Sequence, residues 1–286
     1  MTVQSTTPAF KRNVSDALAD AQLQEALRIA KPGFSGGRAR ARAALPEFDD
    51  LRDTARDLKA HVLGHLDHYL EAYERRVVES GGVVHWAETA EDARRIVLEI
   101  CREADAKAVN KGKTMISEEC GINAHLEAHG ILPVETDLGE YIIQLAGEHP
   151  SHIIAPAIHV TVEEIRERFR AAHGHLPEDR DLSGLDTLLR EARAVLREKY
   201  FSAEVGITGA NMLVAETGQS VIVTNEGNGD LSQSLPRVHV VMASIEKIVP
   251  TLEDAATILR VLGRSATGQE MSVYTTFSDG PRRMQD

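Results

Sequence analysis

Residues Ala203–Asp230, AEVGITGANMLVAETGQSVIVTNEGNGD, carry the clearest structural signal in the chain. Two short β-branched runs, Met212–Ala215 and Ser220–Thr224, flank a turn whose Gly218 suits a positive φ, and this pattern predicts a β-hairpin. Because loops held by rigid strands often carry binding groups, we predict a site here, with an ordinary hairpin bearing polar turns as the alternative. The polar side chains around the two runs are Asn211, Glu216, Thr224, Asn225, Glu226 and Asn228.

On both sides of the hairpin, short apolar runs alternate with helical patterns, which is typical of βαβ units. The predicted strands are Val83–Trp86, Ala106–Asn110, Leu132–Glu135, Ile153–Pro156, Val238–Ile248 and Ser272–Thr276. The predicted helices are Thr89–Ala104, Glu119–His129, Val162–Ala172, Leu185–Tyr200 and Leu252–Leu262. The sequence therefore predicts an α/β fold with a mostly parallel sheet and flanking helices, in a domain that spans residues 81–286.

An N-terminal helical arm, residues 1–80, is predicted to precede that domain. Apolar residues at helical spacing predict a long amphipathic helix over Glu47–Glu79. Within it, His61, His65 and His68 have the spacing that places three imidazoles on one helix face, so a zinc site is geometrically allowed. No carboxylate-rich motif accompanies them, and we predict packing or solvent-facing histidines and no metal.

Composition excludes several classes of function. The net charge of −12 and the 4% aromatic content argue against a nucleic-acid partner, because phosphate binding needs basic patches and single strands need stacking platforms. No apolar run approaches the ~20 residues that span a bilayer, so we expect no membrane insertion. Two cysteines, Cys101 and Cys120, form no disulfide framework, and the N-terminus lacks the apolar core of a signal peptide. These features predict a cytoplasmic protein.

A pair of lysines follows the predicted strand that ends at Asn110. Lys111 and Lys113 flank a glycine, and hydroxyl and carboxylate side chains, including Glu118, lead into the next helix. Such a loop can hold a phosphate or a carboxylate, although the spacing of a nucleotide-binding P-loop is absent. The alternative is a solvated basic turn.

Three carboxylates, Glu135, Asp137 and Glu140, follow the next predicted strand. Carboxylates this close repel one another unless some are paired or protonated. Lys111 and Lys113 from the neighbouring βα unit are their natural partners. Asp137 is also well placed to cap the helix that begins at the next residue.

Proton-transfer candidates come from two places. Glu216 and Glu226 of the hairpin region can serve as a base and acid pair, or one of them as a nucleophile toward an acyl group. His152 and His159 flank the predicted strand Ile153–Pro156. We therefore name Glu216, Glu226 and His152 as candidate catalytic residues, although each alone is more typical of a structural role.

Three long segments resemble a known family. They are VNKGKTMISEECGINAHLEAHGILPVETDLGEYIIQLAGEHPSHIIAPAIH from Val109, GITGANMLVAETGQSVIVTNEGNGDLSQSLPRVHVVMASIEKIVP from Gly206, and YTTFSDGPR from Tyr274. They are similar to the LUD domain of the lactate utilization proteins, and the resemblance covers nearly the whole chain. It implies an α/β fold like that of CoA-transferases and ribose-5-phosphate isomerase. It also implies a role in oxidising L-lactate to pyruvate within a complex, together with other lactate-utilization subunits and a small carboxylate substrate.

Members of this family continue past the YTTFSDGPR position into a ferredoxin-like segment with cysteine clusters, whereas this chain stops at Asp286. We expect the family's 4Fe-4S clusters to belong to that segment and no cofactor in this chain, whether it is a trimmed piece or a natural short form. The expected substrate-binding residues, assigned from chemistry and placement, are Lys111, Lys113, Glu118, Glu135, Asp137, Asn211, Thr224, Asn225 and Asn228.

Two other functions stay open at this point. One is an enzyme that handles acyl groups or CoA thioesters, which the fold likeness alone suggests. The other is a purely structural subunit in which the helix over Glu47–Glu79 docks partner chains, a second copy of this chain among them.

Overall fold

The computed structural model describes residues 7–148 and 155–281. The N-terminal helices are α1 (Phe10–Ala19), α2 (Ala21–Lys31), α3 (Gly37–Ala43), α4 (Phe48–Leu63) and α5 (Leu66–Glu79). The later helices are α6 (Ala90–Glu103), α7 (Met115–Cys120), α8 (Ile122–Ala128), α9 (Leu138–Ala146), α10 (Val162–Ala172), α11 (Leu185–Ser202), α12 (Asn228–Ser234) and α13 (Leu252–Ala266). The strands are β1 (Ala108–Gly112), β2 (Leu132–Glu135), β3 (Val205–Thr208), β4 (Met212–Val214), β5 (Gln219–Thr224), β6 (Val238–Val241), β7 (Ile248–Val249) and β8 (Tyr274–Ser278).

Four strands form a parallel sheet in the order β2-β1-β3-β6. Its register sets Lys111 opposite Glu135, and Gly112 opposite Thr208, so β2, β1 and β3 end at the same edge. Helices flank this sheet, and buried Val109, Val205 and Ile207 belong to the core beneath them. The predicted α/β fold with a mostly parallel sheet, flanking helices and a helical N-terminal region is confirmed.

Strand β3, at the centre of this sheet, was not expected from the sequence pattern. Gly206 and Gly209 interrupt its apolar run, and glycine in a strand usually weakens it. The structure gives the reason for Gly206: a methyl group built there would lie 1.8 Å from the carbonyl oxygen of Ser232 in α12. The glycine therefore lets α12 pack directly on the backbone of β3.

The hairpin belongs to a second sheet, in the order β7-β4-β5-β8. Strands β4 and β5 pair antiparallel, with Met212 opposite Val221, which confirms the predicted hairpin. Strand β8 pairs antiparallel with β5, and β7 pairs parallel with β4. The short connection between β3 and β4 carries the chain from the parallel sheet into this mixed one.

The helical arm packs against the second sheet. Val62 of α4 is fully buried in a cluster with Leu213, Ala215 and Ile248. The amphipathic stripe of the arm therefore covers the hairpin, which explains its apolar periodicity. The division into an arm of residues 1–80 and a domain of residues 81–286 stays a prediction.

Some predicted elements differ in the structure. The strand over Val83–Trp86 is wrong: Val83 and Trp86 are 73% and 50% exposed, and the indole N–H of Trp86 donates to Glu74 of α5. The predicted strand Ile153–Pro156 lies partly outside the described residues, and its last two residues are not in a strand. The remaining predicted strands and helices of residues 81–286 occur within a few residues of their expected bounds, although β6 and β7 divide one predicted run.

The predicted long helix is divided into α4 and α5, with Gly64 and His65 between them. The rings of His61 and His65 lie 4.4 Å apart, and Nδ1 of His65 is hydrogen-bonded to the carbonyl of His61. Within residues 7–148 and 155–281, no cluster of three or more potential ligands could hold a metal ion. Over the same ranges, no helix combines the length and the apolar content needed to cross a bilayer.

Gly206→Ala is expected to lower the free energy of unfolding by about 3 kcal/mol or more, because the methyl group forces α12 away from β3. Urea denaturation of the two proteins measures this loss. Gly174→Ala is the matched control, since nothing lies within 4 Å of its added methyl group. A Gly206→Ala protein as stable as the parent would contradict the close packing of α12.

Candidate functional site

The candidate site lies at the carboxyl edge of the parallel sheet, where ligands collect in open α/β folds. Strand β1 delivers Lys111 and Gly112 to this edge, and β2 delivers Glu135. Helices α7 and α9 begin immediately beyond these strands. The hydroxyl of Thr114 accepts a hydrogen bond from Ser117 N, and the carboxylate of Asp137 accepts from Gly139 N and Glu140 N. The predicted capping role of Asp137 is confirmed.

Lys111 is buried between two carboxylates. Its side chain is 2% exposed, and its ammonium forms ion pairs with Glu118 and, at 2.8 Å, with Glu135 Oε1. Asn123 donates a second hydrogen bond, of 2.7 Å, to the same Glu135 oxygen. Burial opposes the charge of Lys111, but the two carboxylates outweigh it and raise the pKa of the lysine. Burial also raises the pKa of Glu135, because it disfavours the charged carboxylate more than the nearby Lys111 favours it.

Lys113 makes the more accessible pair of contacts. Its ammonium lies 2.5 Å from Asp137 Oδ2 and 3.1 Å from Glu226 Oε2, and its side chain is 26% exposed. Burial lowers the pKa of Lys113, but the charges of Asp137 and Glu226 outweigh that effect and leave it above its usual value. The backbone of Lys113 has φ 57°, a left-handed conformation uncommon for a non-glycine residue. Strain of this kind concentrates at functional sites.

Glu140 is the third carboxylate of the predicted acidic loop. Its partial burial, together with the negative charges of Glu135 and Asp137, raises its pKa to about 8. The repulsion expected among these three carboxylates is thus relieved both by pairing and by protonation. Glu135 and Asp137 pair with Lys111 and Lys113, as predicted, and Glu140 keeps its proton at neutral pH.

Buried polar groups lie next to the end of β1, from which the two lysines project. The hydroxyl of Thr136 donates to the carbonyl of Lys111 at 3.0 Å and lies 3.2 Å from the hydroxyl of Ser232. Asn228 is only 5% exposed, and neither its amide nitrogen nor its amide oxygen has a hydrogen-bond partner within the described residues. Because unpartnered buried polar groups are rare, they indicate a place where a ligand or water binds. Other buried side-chain atoms without a partner in the same described part of the chain include Asn110 Oδ1, Ser117 Oγ, Asn123 Oδ1, Glu135 Oε2 and Asp230 Oδ2.

The remaining polar residues of the β4–β5 hairpin lie either at its open end or at its turn. Thr224 and Asn211 lie at the end near the lysines, where Thr224 accepts from Gly227 N and Asn211 accepts from Val223 N. Asn225 is exposed, and its side-chain oxygen accepts from Val273 N at 3.3 Å. These hydrogen bonds hold the loop that carries Glu226. The binding roles predicted for the three residues stay predictions.

Glu216 occupies the opposite end of the hairpin. It is exposed in the β4–β5 turn, and its N–H donates to the carbonyl of Pro250. A methyl group on Gly218, in the same turn, would lie 2.8 Å from backbone and side-chain atoms of Arg76, so this turn packs against α5. The structure does not bring Glu216 together with the lysines, and its catalytic role stays a prediction.

The two histidine candidates have different outcomes. His152 lies outside the described residues. His159 pairs with Glu148, with 2.9 Å between Nε2 and Oε2. A third histidine, His239, lies in strand β6 of the parallel sheet and was not singled out from the sequence. Its Nε2 lies 2.8 Å from the Thr208 hydroxyl, and burial lowers its pKa to about 4.

Thr136, Ser232 and Asn123 were not predicted either. They lie far apart in sequence, and none of them carries a motif, so only the shared sheet edge identifies them. The sequence did give a signal for Glu140, because the loop has three carboxylates and only two lysines were expected to pair with them.

The fold and the network define the chain as an α/β domain with a charged polar site at the carboxyl edge of a parallel sheet. The LUD domain family model matches residues 70–286, and the chain belongs to that family. No solved structure gives a significant match, and the likeness to CoA-transferases and ribose-5-phosphate isomerase stays a prediction.

Curated relatives cover the whole chain. It is 38% identical to Lactate utilization protein B of Bacillus licheniformis over 283 residues, which are 99% of this chain and 58% of that protein. It is 36% identical to Lactate utilization protein B of Bacillus subtilis (strain 168) over 287 residues, 99% of this chain and 58% of that protein. It is also 36% identical to the Uncharacterized electron transport protein YkgF of Escherichia coli (strain K12) over 282 residues, again 99% and 58%. The chain thus spans 58% of the length of these relatives.

Lys111→Met is expected to lower the free energy of unfolding by about 3–5 kcal/mol, because it leaves the buried Glu135 without its cation. Chemical denaturation at pH 7 measures the loss. The double variant Lys111→Met/Glu135→Leu should recover most of it, since no unpaired charge then remains in the core. Lys247→Met, at a lysine whose side chain is 44% exposed, is the control and should be nearly neutral. Equal losses in the single and double variants would refute the pairing.

Glu140→Gln is expected to stabilise the protein above neutral pH. The pKa of this carboxyl rises from 4.5 to about 8 on folding, so between these values the folded state holds a proton that the unfolded state has released. The stability of the parent should therefore fall as the pH rises from 4.5 to about 8, and the glutamine variant should lose this dependence. At pH 8 we expect a difference of at least about 1 kcal/mol.

Thermal and urea unfolding from pH 5 to 9 measure the effect of Glu140→Gln. Glu119→Gln, at an exposed glutamate on the neighbouring α7, is the control and should follow the parent. If the Glu140→Gln and parent curves stay parallel across this range, the raised pKa of Glu140 is disproved.

Proposed function

We propose that this LUD domain serves a lactate-utilization system by binding a small hydroxy carboxylate, L-lactate in the first place, at Lys113. The names of the similar proteins support the lactate part of this proposal. Because the chain spans only 58% of their length, the activity, the substrate and the other subunits of such a system are proposed here as well. The observation that carries the proposal is the exposed, exchangeable ion pair of Lys113.

Accessibility distinguishes the two lysines of the site. Lys111 is 2% exposed and its ammonium is held by two carboxylates, so it stabilises the site and is closed to a ligand. Lys113 is 26% exposed, and its second partner, Glu226, is 54% exposed on a loop. An exposed ion pair contributes little to stability, so a substrate carboxylate can replace Glu226 at small cost.

The charge of the site makes this exchange necessary. Five carboxyl groups, those of Glu118, Glu135, Asp137, Glu140 and Glu226, surround two lysines. An added anion would be repelled, whereas replacement of Glu226 by a substrate carboxylate leaves the net charge unchanged. The proton on Glu140 lowers the negative charge further, so binding should weaken as the pH rises through about 8.

The 4Fe-4S clusters implied by the family do not fit this chain. A cluster needs about four thiolate ligands, and the chain has two cysteines. Cys101 is fully buried in the core, and burial raises the pKa of its thiol to about 11. We therefore propose that this domain binds and orients the substrate, and that electrons pass through another segment or subunit of the system.

Isothermal titration of the purified chain with L-lactate tests the proposal. Lys113→Gln should weaken binding by about 10-fold to 100-fold, the loss expected for a hydrogen bond to a charged group. Lys247→Gln, at an exposed lysine outside the site, should bind as the parent does. Glu226→Gln should bind slightly more tightly, because it removes the competing carboxylate.

No binding by the parent, or equal binding by the parent and Lys113→Gln, would overturn the substrate role of this site. The domain would then be better described as a scaffold, in which the polar loops make contacts between subunits.

A further inference from the structure

We propose that Asn228 is the specificity-determining residue of this site and recognises the hydroxyl group at C2 of a 2-hydroxy acid. The inference rests on the proposed function, because the carboxylate of the same ligand is taken to bind Lys113. It goes further by assigning a chemical role to a side chain whose hydrogen-bonding capacity is unused within the described residues.

The amide of Asn228 is buried and unsatisfied. The residue is 5% exposed, and both Nδ2 and Oδ1 are buried without a partner in residues 7–148 and 155–281. Leaving a buried donor or acceptor unpaired costs roughly 1–3 kcal/mol for each group. Such a cost on two atoms of one side chain is expected where a ligand supplies the missing partners.

The position of Asn228 suits a ligand held by Lys113. A methyl group built on Gly112 would lie 3.3 Å from Nδ2 of Asn228, so the amide covers the last residue of β1. Lys113 is the next residue, and its ammonium contacts Glu226, which lies two residues before Asn228, the first residue of α12. Gly112 at the end of β1 and Lys113 just beyond it thus lie beside Asn228 and Glu226, which brings a cation and an amide to the same end of β1.

The chemistry of an amide fits a hydroxyl group better than the alternatives. Nδ2 donates and Oδ1 accepts, and a hydroxyl group can satisfy both because it accepts and donates at one oxygen. The carbonyl oxygen of a 2-oxo acid only accepts, so Oδ1 would stay unpaired. A methylene group at C2 satisfies neither atom. The site should therefore prefer lactate to pyruvate, and pyruvate to propionate.

Titration of the unaltered chain with these three carboxylates is the first test, and it depends on no variant. L-lactate should bind at least about 10-fold more tightly than propionate, since a site built for a hydroxyl group rejects the analogue that lacks it. Pyruvate should lie between them. All three ligands share the carboxylate, so the comparison isolates the group at C2.

Asn228→Ala is the second test. It should weaken lactate about 10-fold while leaving propionate nearly unchanged, so that the two ligands bind alike. Gln233→Ala is the matched control, because it removes an amide from the same helix that is bonded to Asp230 and Ser278 instead. Near-ultraviolet circular dichroism checks that both variants are folded, and Asn228→Ser serves if the alanine variant is not.

The outcomes separate this inference from the function on which it rests. Equal affinity of the unaltered chain for lactate and propionate, with binding still dependent on Lys113, would overturn the role of Asn228 alone. An Asn228→Ala variant that keeps the full preference for lactate would also overturn that role and leave the substrate site intact. Failure of all three carboxylates to bind would overturn the substrate site and the role of Asn228 together.

Discussion

The buried ion pairs of Lys111 are the interaction on which the rest of the site depends. An ammonium group that is 2% exposed is tolerable only with carboxylates in direct contact, and Glu118 and Glu135 provide them from α7 and β2. These contacts tie the end of β1 to the neighbouring strand and to the following helix. The requirement to pair one charge therefore fixes the geometry of the whole sheet edge.

A surplus of negative charge follows from this arrangement. Burial raises the pKa of Glu135, and the neighbouring Glu118 adds to this effect. Burial and the charges of Glu135 and Asp137 raise the pKa of Glu140 to about 8. Lys113 offsets part of the surplus through Asp137 and Glu226. The result is a site of many close charges in which Lys113 is partly exposed and one of its partners, Glu226, is largely exposed. This charge balance is the basis of the proposal that a substrate carboxylate replaces Glu226.

Much of the local structure was predictable because it depends on neighbours in sequence. The hairpin turn at Gly218, the cap of Asp137 and the helix Val162–Ala172 were predicted correctly from such signals. The pairing of both lysines with the acidic loop was also predictable, since parallel βα units place successive loops side by side. Strand β3 was missed because Gly206 breaks its pattern, and only contact with α12 explains that glycine.

The sequence by itself determined the family, the α/β class, and the lysines and carboxylates that meet at the sheet edge, since residue type and local periodicity encode them. Only the tertiary structure decided which lysine is accessible. It alone also left Asn228 buried without a partner among the described residues. These properties depend on solvent exposure and on contacts between segments that are distant in sequence. The residue pattern of a single strand or loop does not determine either of them.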